Sequence, residues 1–182
     1  MKTNFEEVMD VPQGVTVTVD HGNVLVKGPK GEVARKMYAP GVSITAEGPR
    51  VVFKAKKATK REKKMLYTFY AHLRNMVQGV QKPWVYKLKI CAGHFPMTAT
   101  VSGGKFSLKN FLGEKTPREC AIPQGVDVKI AGQEITVTAV DRELAGQTAG
   151  LLELLTFKPK KDQRVFQDGI YITEKPDKEI TQ

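Results

Sequence analysis

Histidine and cysteine are the side chains most able to do chemistry near neutral pH, and this chain spreads them thinly. His21, His72 and His94 stand far apart, and none falls at a metal-ligand spacing from Cys91 or Cys120. His21 reads as a turn residue in His21-Gly22-Asn23. His72 falls at the edge of an apolar helical stripe, where a packed histidine needs no catalytic role. His94, in Gly93-His94-Phe95-Pro96, is the one with room for acid–base chemistry, because imidazole titrates near neutrality. Cys91 ends a strand-like run and reads as a small core hydrophobe. Gly28-Pro29-Lys30-Gly31 is glycine-rich and basic, but it lacks the spacing and the terminal Gly-Lys-Ser/Thr of a phosphate loop, so it reads as a turn. The acidic residues form no paired set on one predicted face. The chain is therefore read as no enzyme, with no catalytic residue, metal ligand or cofactor.

The chemistry that remains is cationic. Twenty-nine basic residues (29) against 19 acidic ones leave a formal charge of +10. Such an excess predicts an acidic partner, nucleic acid first among them. The cations are clustered. Lys105, Lys109, Asn110, Lys115 and Arg118 surround Phe111-Leu112-Gly113. Here the basic side chains can contact phosphate, and Asn110 can hydrogen-bond to a sugar or a base. Arg118 can grip a phosphate with both arms of its fork. Phe111 is either a stacking surface for an unpaired base or a core plug under the loop, and the plug is the better reading. Lys158, Lys160, Lys161 and Arg164 form a further cluster. A third run, Lys54, Lys56, Lys57, Lys60, Arg61, Lys63 and Lys64, is a secondary basic patch. It also fits a solvated helix start, although cations there oppose the helix dipole.

The elements that position these residues come from an internal duplication. VTVTVDHGNVLVKGPKGEV lies over MTATVSGGKFSLKNFLGEK at a constant offset, so that Val15 matches Met97, Gly22 matches Gly104, Lys27 matches Lys109, and Gly31-Glu32 matches Gly113-Glu114. GVSITAEGPRVVFKA echoes GVDVKIAGQEITVTA in the same way, Gly41 with Gly125 and Gly48 with Gly132. The glycines mark turns and the runs between them alternate polar and apolar, as half-buried strands do. A capping box, Thr59 with Glu62, opens a first helix. Its inner face is Leu66, Phe69, Tyr70, Leu73 and Val77, and Gly79 is the expected stop. Asp141 caps a second, with Leu144, Thr148, Leu151, Leu152 and Leu155 inward. Gly146 and Gly150 fall on the other face, which fits either close approach by something outside or tolerated drift. Met1 to Pro12 reads as a lead-in and Pro117 to Pro123 as a connection. Gly169 to Thr173 reads as a last strand, and Glu174 to Gln182 as a polar tail that frays or depends on a partner. The fold class is α+β: two tandem homologous domains, 1–81 and 82–182, each an antiparallel sheet packed with one helix.

The start of the chain has no signal-peptide pattern, and no stretch reaches the roughly 18 apolar residues of a spanning helix. The expectation is a cytoplasmic protein with free thiols, although a Cys91–Cys120 pair is compatible with the sequence. A membrane adaptor would show a basic amphipathic helix with exposed aromatics, and the first helix needs its apolar face for its own sheet.

YKLKICAGHFP at Tyr86 to Pro96, NFLGEKTPR at Asn110 to Arg118 and RVFQDGIYI at Arg164 to Ile172, in that order and with the duplication, resemble the large-subunit ribosomal protein six family in its archaeal and eukaryotic branch. The Cys91-Ala92-Gly93 run departs from bulkier residues common there. The resemblance implies a structural constituent of the large ribosomal subunit, with no catalytic residues. It implies large-subunit rRNA as partner, chiefly through the second domain and close to the sarcin-ricin loop and stalk base. Ribosomal proteins at the stalk base and translation factors would be its neighbours. The alternative is a non-ribosomal RNA-binding adaptor protein.

Overall fold

A computed structural model describes residues 3–93, 95–159, 161–162, 164–176 and 178–179. The chain divides into two units, Met1–Pro83 and Trp84–Gln182.

In the first unit the strands are β1 (Thr3–Asp10), β2 (Thr16–Asp20), β3 (Asn23–Gly28), β4 (Gly31–Lys36), β5 (Val42–Glu47) and β6 (Arg50–Ala58), followed by helix α1 (Lys60–Gln81). They form two antiparallel three-stranded sheets, ordered β2-β3-β4 and β1-β6-β5. The second unit holds β7 (Trp84–Cys91), β8 (Thr98–Ser102), β9 (Lys105–Lys109), β10 (Arg118–Ala121), β11 (Val126–Ala131), β12 (Glu134–Ala139), α2 (Arg142–Leu155), β13 (Gly169–Lys175) and β14 (Lys178–Glu179). Its sheets run β10-β9-β8 and β11-β12-β7-β13-β14. Thus β1 corresponds to β7, β2-β3-β4 to β8-β9-β10, and β5-β6-α1 to β11-β12-α2, in the same strand order. These are two similar α+β units, and the second adds β13 and β14 beside β7.

Alternation explains the layers. On β7, Trp84, Tyr86, Leu88 and Ile90 are buried and the residues between them face outward. β6, the central strand of its sheet, buries Val51, Val52 and Phe53 in succession. α1 lies over β6 and β3, and α2 over β7, β12 and β13. The capping box is present: Thr59 Oγ1 accepts the Arg61 N–H at 3.3 Å, and the Glu62 carboxylate accepts the Thr59 N–H at 2.7 Å. The Thr59 hydroxyl also donates to that carboxylate, and this bond, with the one from the Thr59 N–H, holds the Glu62 carboxyl below its ordinary value. Asp141 caps α2 by accepting the Glu143 N–H at 2.9 Å.

Several expectations are corrected. The lead-in is strand β1, paired with β6 from Phe5↔Ala55 to Asp10↔Arg50. The stretch after Pro117 is strand β10, paired with β9. Helix α1 runs through Gly79 to Gln81, because Met76, Val77 and Val80 are all buried. Burying one valine is worth roughly 1.5–3 kcal/mol, which exceeds the propensity cost of about 1 kcal/mol for a helical glycine. On α2 the buried set is Ala145, Thr148, Ala149 and Leu152, whereas Leu151 is exposed. Small residues let this helix sit close to the large aromatics of β7. A Cβ on Gly146 would lie 3.0 Å from the Tyr86 hydroxyl, so its close neighbour is the sheet inside and not a group outside, while a Cβ on Gly150 would meet nothing within 4 Å. The tail does not simply fray: Glu174 and Lys175 pair with Glu179 and Lys178 of β14.

Gly28 closes the first unit. The Lys30 N–H donates to Val80 O at 3.0 Å, and a Cβ on Gly28 would stand 2.7 Å from Val80 Cγ2 and 3.0 Å from that carbonyl oxygen. A backbone neighbour cannot step aside as a side-chain tip can. Gly28→Ala is therefore expected to lower the unfolding free energy by about 1–3 kcal/mol. Urea unfolding checks this, and an unchanged midpoint would show that the turn and the helix end separate easily.

Candidate nucleic-acid interface

The Asn110–Arg118 loop owes its shape to left-handed backbone. Asn110 (φ 60°, ψ 31°) and Leu112 (φ 49°, ψ 31°) flank Phe111, and Gly113 follows at φ 77°. Asparagine and glycine adopt this region readily, but a leucine there costs on the order of 1 kcal/mol and must be held by its surroundings. The holding group is Phe111, only 1% exposed and packed into the second core with Phe106 and Leu108. Asn110 Nδ2 donates to Pro96 O at 3.0 Å, which ties the loop to the segment before β8. That amide is an internal brace.

Arg118, at the start of β10, turns inward. Its Nε and Nη2 donate to the Glu114 carboxylate at 2.8 and 2.7 Å. Its Nη1 donates to Leu155 O at 2.7 Å and Phe157 O at 3.3 Å, where α2 leaves its last carbonyls. The guanidinium lies 4.3 Å from the Phe111 ring centroid. The hydrogen bonds from Arg118 hold the Glu114 carboxyl below its ordinary value. Arg118 had been expected to offer its fork to phosphate; in the structure Glu114 occupies it.

Lys158 also differs from expectation. It is 7% exposed, and its Nζ donates to Phe166 O at 2.7 Å and to Asp168 O. The same ammonium lies 5.7 Å from the Phe111 centroid. Burial pushes its pKa down. The Asp168 carboxylate accepts the Gly93 N–H. Arg118 and Lys158 thus bolt the two predicted RNA-facing segments together around Phe111. Sequence reasoning missed Glu114 as a counter-ion; its only signal was an acidic residue four positions before Arg118 in a basic loop.

Of the described second-unit cations singled out in the sequence, Lys105, Lys109, Lys115, Lys161 and Arg164 face solvent. Arg164 pairs with Asp162 at 2.9 Å, yet its side chain remains 90% exposed. Lys160 and His94 lie outside the described residues. In the first unit Lys56, Lys57, Lys60, Arg61, Lys63 and Lys64 are exposed. Lys56 and Lys57 oppose Asn4 at an irregularity between β1 and β6, where Lys57 takes φ 49° and its N–H donates to Asn4 Oδ1 at 2.9 Å. Lys54 pairs with Glu6 at 3.3 Å, and the Lys63 ammonium lies 4.8 Å from the Phe5 ring centroid. Both thiols are free, and burial pushes the Cys120 thiol up. Among the described residues no group of three or more His, Cys, Asp or Glu is placed to hold a metal, and no helix is long and apolar enough to cross a membrane.

The family model described as ribosomal protein L6 matches residues 11–83 and 95–169. The chain is 40% identical over 178 residues to the large ribosomal subunit protein uL6 of Natronomonas pharaonis, covering 98% of each chain. It is 42% identical over 170 residues to that of Methanospirillum hungatei, covering 93% of this chain and 97% of the relative. With that of Aeropyrum pernix it shares 45% identity over 170 residues, covering 93% of each.

Proposed function

The chain belongs to the ribosomal protein L6 family, in its archaeal branch, and from that premise we propose that it is a structural constituent of the large ribosomal subunit that holds large-subunit rRNA mainly through its second unit. The observation that carries this reading is the pairing of roles across β9, the Asn110–Arg118 loop and the segment after α2. Arg118, Lys158 and Phe111 make the loop rigid, and Lys105, Lys109, Lys115 and Lys161 are left facing solvent. Rigid placement matters because phosphate attraction alone is diffuse, and folded rRNA is recognised by the shape of its backbone. Family membership favours a position close to the sarcin-ricin loop and the stalk base, in the cytoplasm, beside other ribosomal proteins and near the sites of translation factors. The exposed first-unit cations would make a second, weaker contact. In this reading the protein is not an enzyme, needs no cofactor and touches no membrane.

The test is sedimentation of a cell lysate on a gradient after a high-salt wash. The protein is expected in the large-subunit fraction. Recovery free at the top of the gradient, or with small subunits only, would remove the reading. Hydroxyl-radical cleavage from a probe tethered at Lys115→Cys then tests the position, with cuts expected in the sarcin-ricin region.

A further inference from the structure

A cleft of about 330 Å³ opens in the second unit among Gly93, Phe95, Leu112 and the run from Val165 to Asp168. Its walls are apolar and unusually open to water: Val165 is 73% exposed, Phe95 40% and Phe166 38%. Leu112, the residue held at φ 49°, is part of the wall. The wall is braced from behind, since Lys158 Nζ donates to the backbone oxygens of Phe166 and Asp168. The Asp168 carboxylate is already engaged by the Gly93 N–H. The mouth is cationic. Lys161 Nζ lies 4.5 Å from the Phe166 ring centroid. Gln167, which lines the cleft, donates to Arg164 O at 3.3 Å, while the Arg164 guanidinium is itself paired with the Asp162 carboxylate at 2.9 Å.

Each half of this arrangement narrows the occupant. An apolar protein side chain would be satisfied by the walls and would leave the cations unused. A lone phosphate would use the cations and leave the walls wet. A nucleotide uses both, with a flat base on an aromatic ring and a phosphate at the basic mouth. The volume lies at the lower end for small-molecule sites, too small for a docked helix.

We propose that this cleft takes one unstacked nucleobase of the bound rRNA, stacked on Phe166, with its phosphate at Lys161. The proposal rests on the rRNA-binding reading above and specifies how one point of that contact is made.

The test uses the full chain and a large-subunit rRNA transcript across a salt series. Phe166→Ala is expected to weaken binding about tenfold or more while leaving the salt slope unchanged, because stacking carries no counterion release. Phe166→Trp should restore affinity. Lys161→Gln should reduce the slope by about one. Ultraviolet crosslinking should place a nucleotide on the peptide holding Phe166. If Phe166→Ala proves unfolded by circular dichroism, Val165→Asp replaces it, since that exposed side chain puts an anion at the mouth and should give a similar loss. Wild-type binding that Phe166→Ala or Val165→Asp leaves intact would overturn the cleft and spare the rRNA reading. So would a loss that Phe166→Trp fails to rescue, or a Phe166 crosslink to a neighbouring protein in purified subunits. A wild-type chain that binds no rRNA would instead overturn the underlying reading, and this proposal with it.

Discussion

Replacing Lys105, Lys109, Lys115 and Lys161 together by glutamine is expected to weaken binding of the full chain to large-subunit rRNA by about a hundredfold near physiological salt. Each phosphate contact contributes roughly 0.7–0.9 to the slope of log affinity against log salt, so losing this set should flatten the slope by about three. Glutamine keeps the stem and its packing and removes only the charge. The comparison set is Lys56, Lys57, Lys60 and Lys64, which carries the same formal charge. If attraction were a property of net charge alone, the two sets would cost the same. The structure gives a reason for asymmetry. Lys115 stands on a loop pinned by Phe111, Arg118 and Asn110, Lys105 and Lys109 on strand β9 between two paired neighbours, and Lys161 beside the anchored Lys158, so little freedom is lost when phosphate arrives. Those of the first unit sit on an irregular strand end and the opening turn of α1. Filter binding of both variants, after circular dichroism has shown them folded, decides the matter. Equal losses would mean that the first unit shares the contact evenly.

Arg118→Ala is expected to lower the unfolding free energy by about 2–4 kcal/mol. Hydrogen bonds to charged groups are worth roughly 1.5–3 kcal/mol each, and Arg118 makes them to a carboxylate and to two carbonyl oxygens. The carboxylate pair is discounted, because the two side chains are 27% and 41% exposed and water screens them. The larger part of the loss comes from the helix-end carbonyls and from the cover removed from Phe111. Arg118→Lys should recover little of it, since a single ammonium cannot span Glu114, Leu155 and Phe157 together. The effect should also depend on pH. Glu114 has a lowered pKa in the folded protein, so its contribution is present at neutral pH and is lost as pH falls through that lowered value. The gap between wild type and Arg118→Ala should therefore narrow below roughly pH 4. Urea unfolding followed by far-ultraviolet circular dichroism at neutral and acid pH measures both. A loss within about 0.5 kcal/mol, the range of an ordinary surface substitution, would refute the latch.

Much of the architecture was legible because it is written twice. The two offsets, the glycine-marked turns and the caps at Thr59 and Asp141 are local signals, and local signals survive in a linear reading. β1 was missed because NFEEVMD carries charge on the face it shows to water and has few β-branched residues. β10 was missed because Arg118-Glu119-Cys120-Ala121 is short and follows a proline, and only its pairing with β9 makes it a strand. The α2 face was misjudged by a position because leucines were favoured over alanines, whereas closeness to Trp84 and Tyr86 decided it.

The site divides in the same way. That this loop is basic was plain from composition. Which cations face outward was not, because it depends on where uncapped carbonyls fall in three dimensions. Arg118 points inward because the end of α2 arrives beside β10, and Lys158 because the chain returns through Phe166 and Asp168. Neither approach leaves a trace in spacing. The open apolar pair Val165-Phe166 was likewise unread, since a hydrophobic dipeptide in a sequence does not say whether it will be covered.

Trp84 is the chain's one tryptophan, 8% exposed at the start of β7 with the Arg142 guanidinium 4.7 Å from its ring centroid. It lies in the core cluster of the second unit. Its emission is thus an optical tag on one half of a duplicated protein, while far-ultraviolet dichroism sums both halves. Two melting curves recorded on one uncut sample would separate the halves, and a ligand seated on the second half should shift the fluorescence midpoint first.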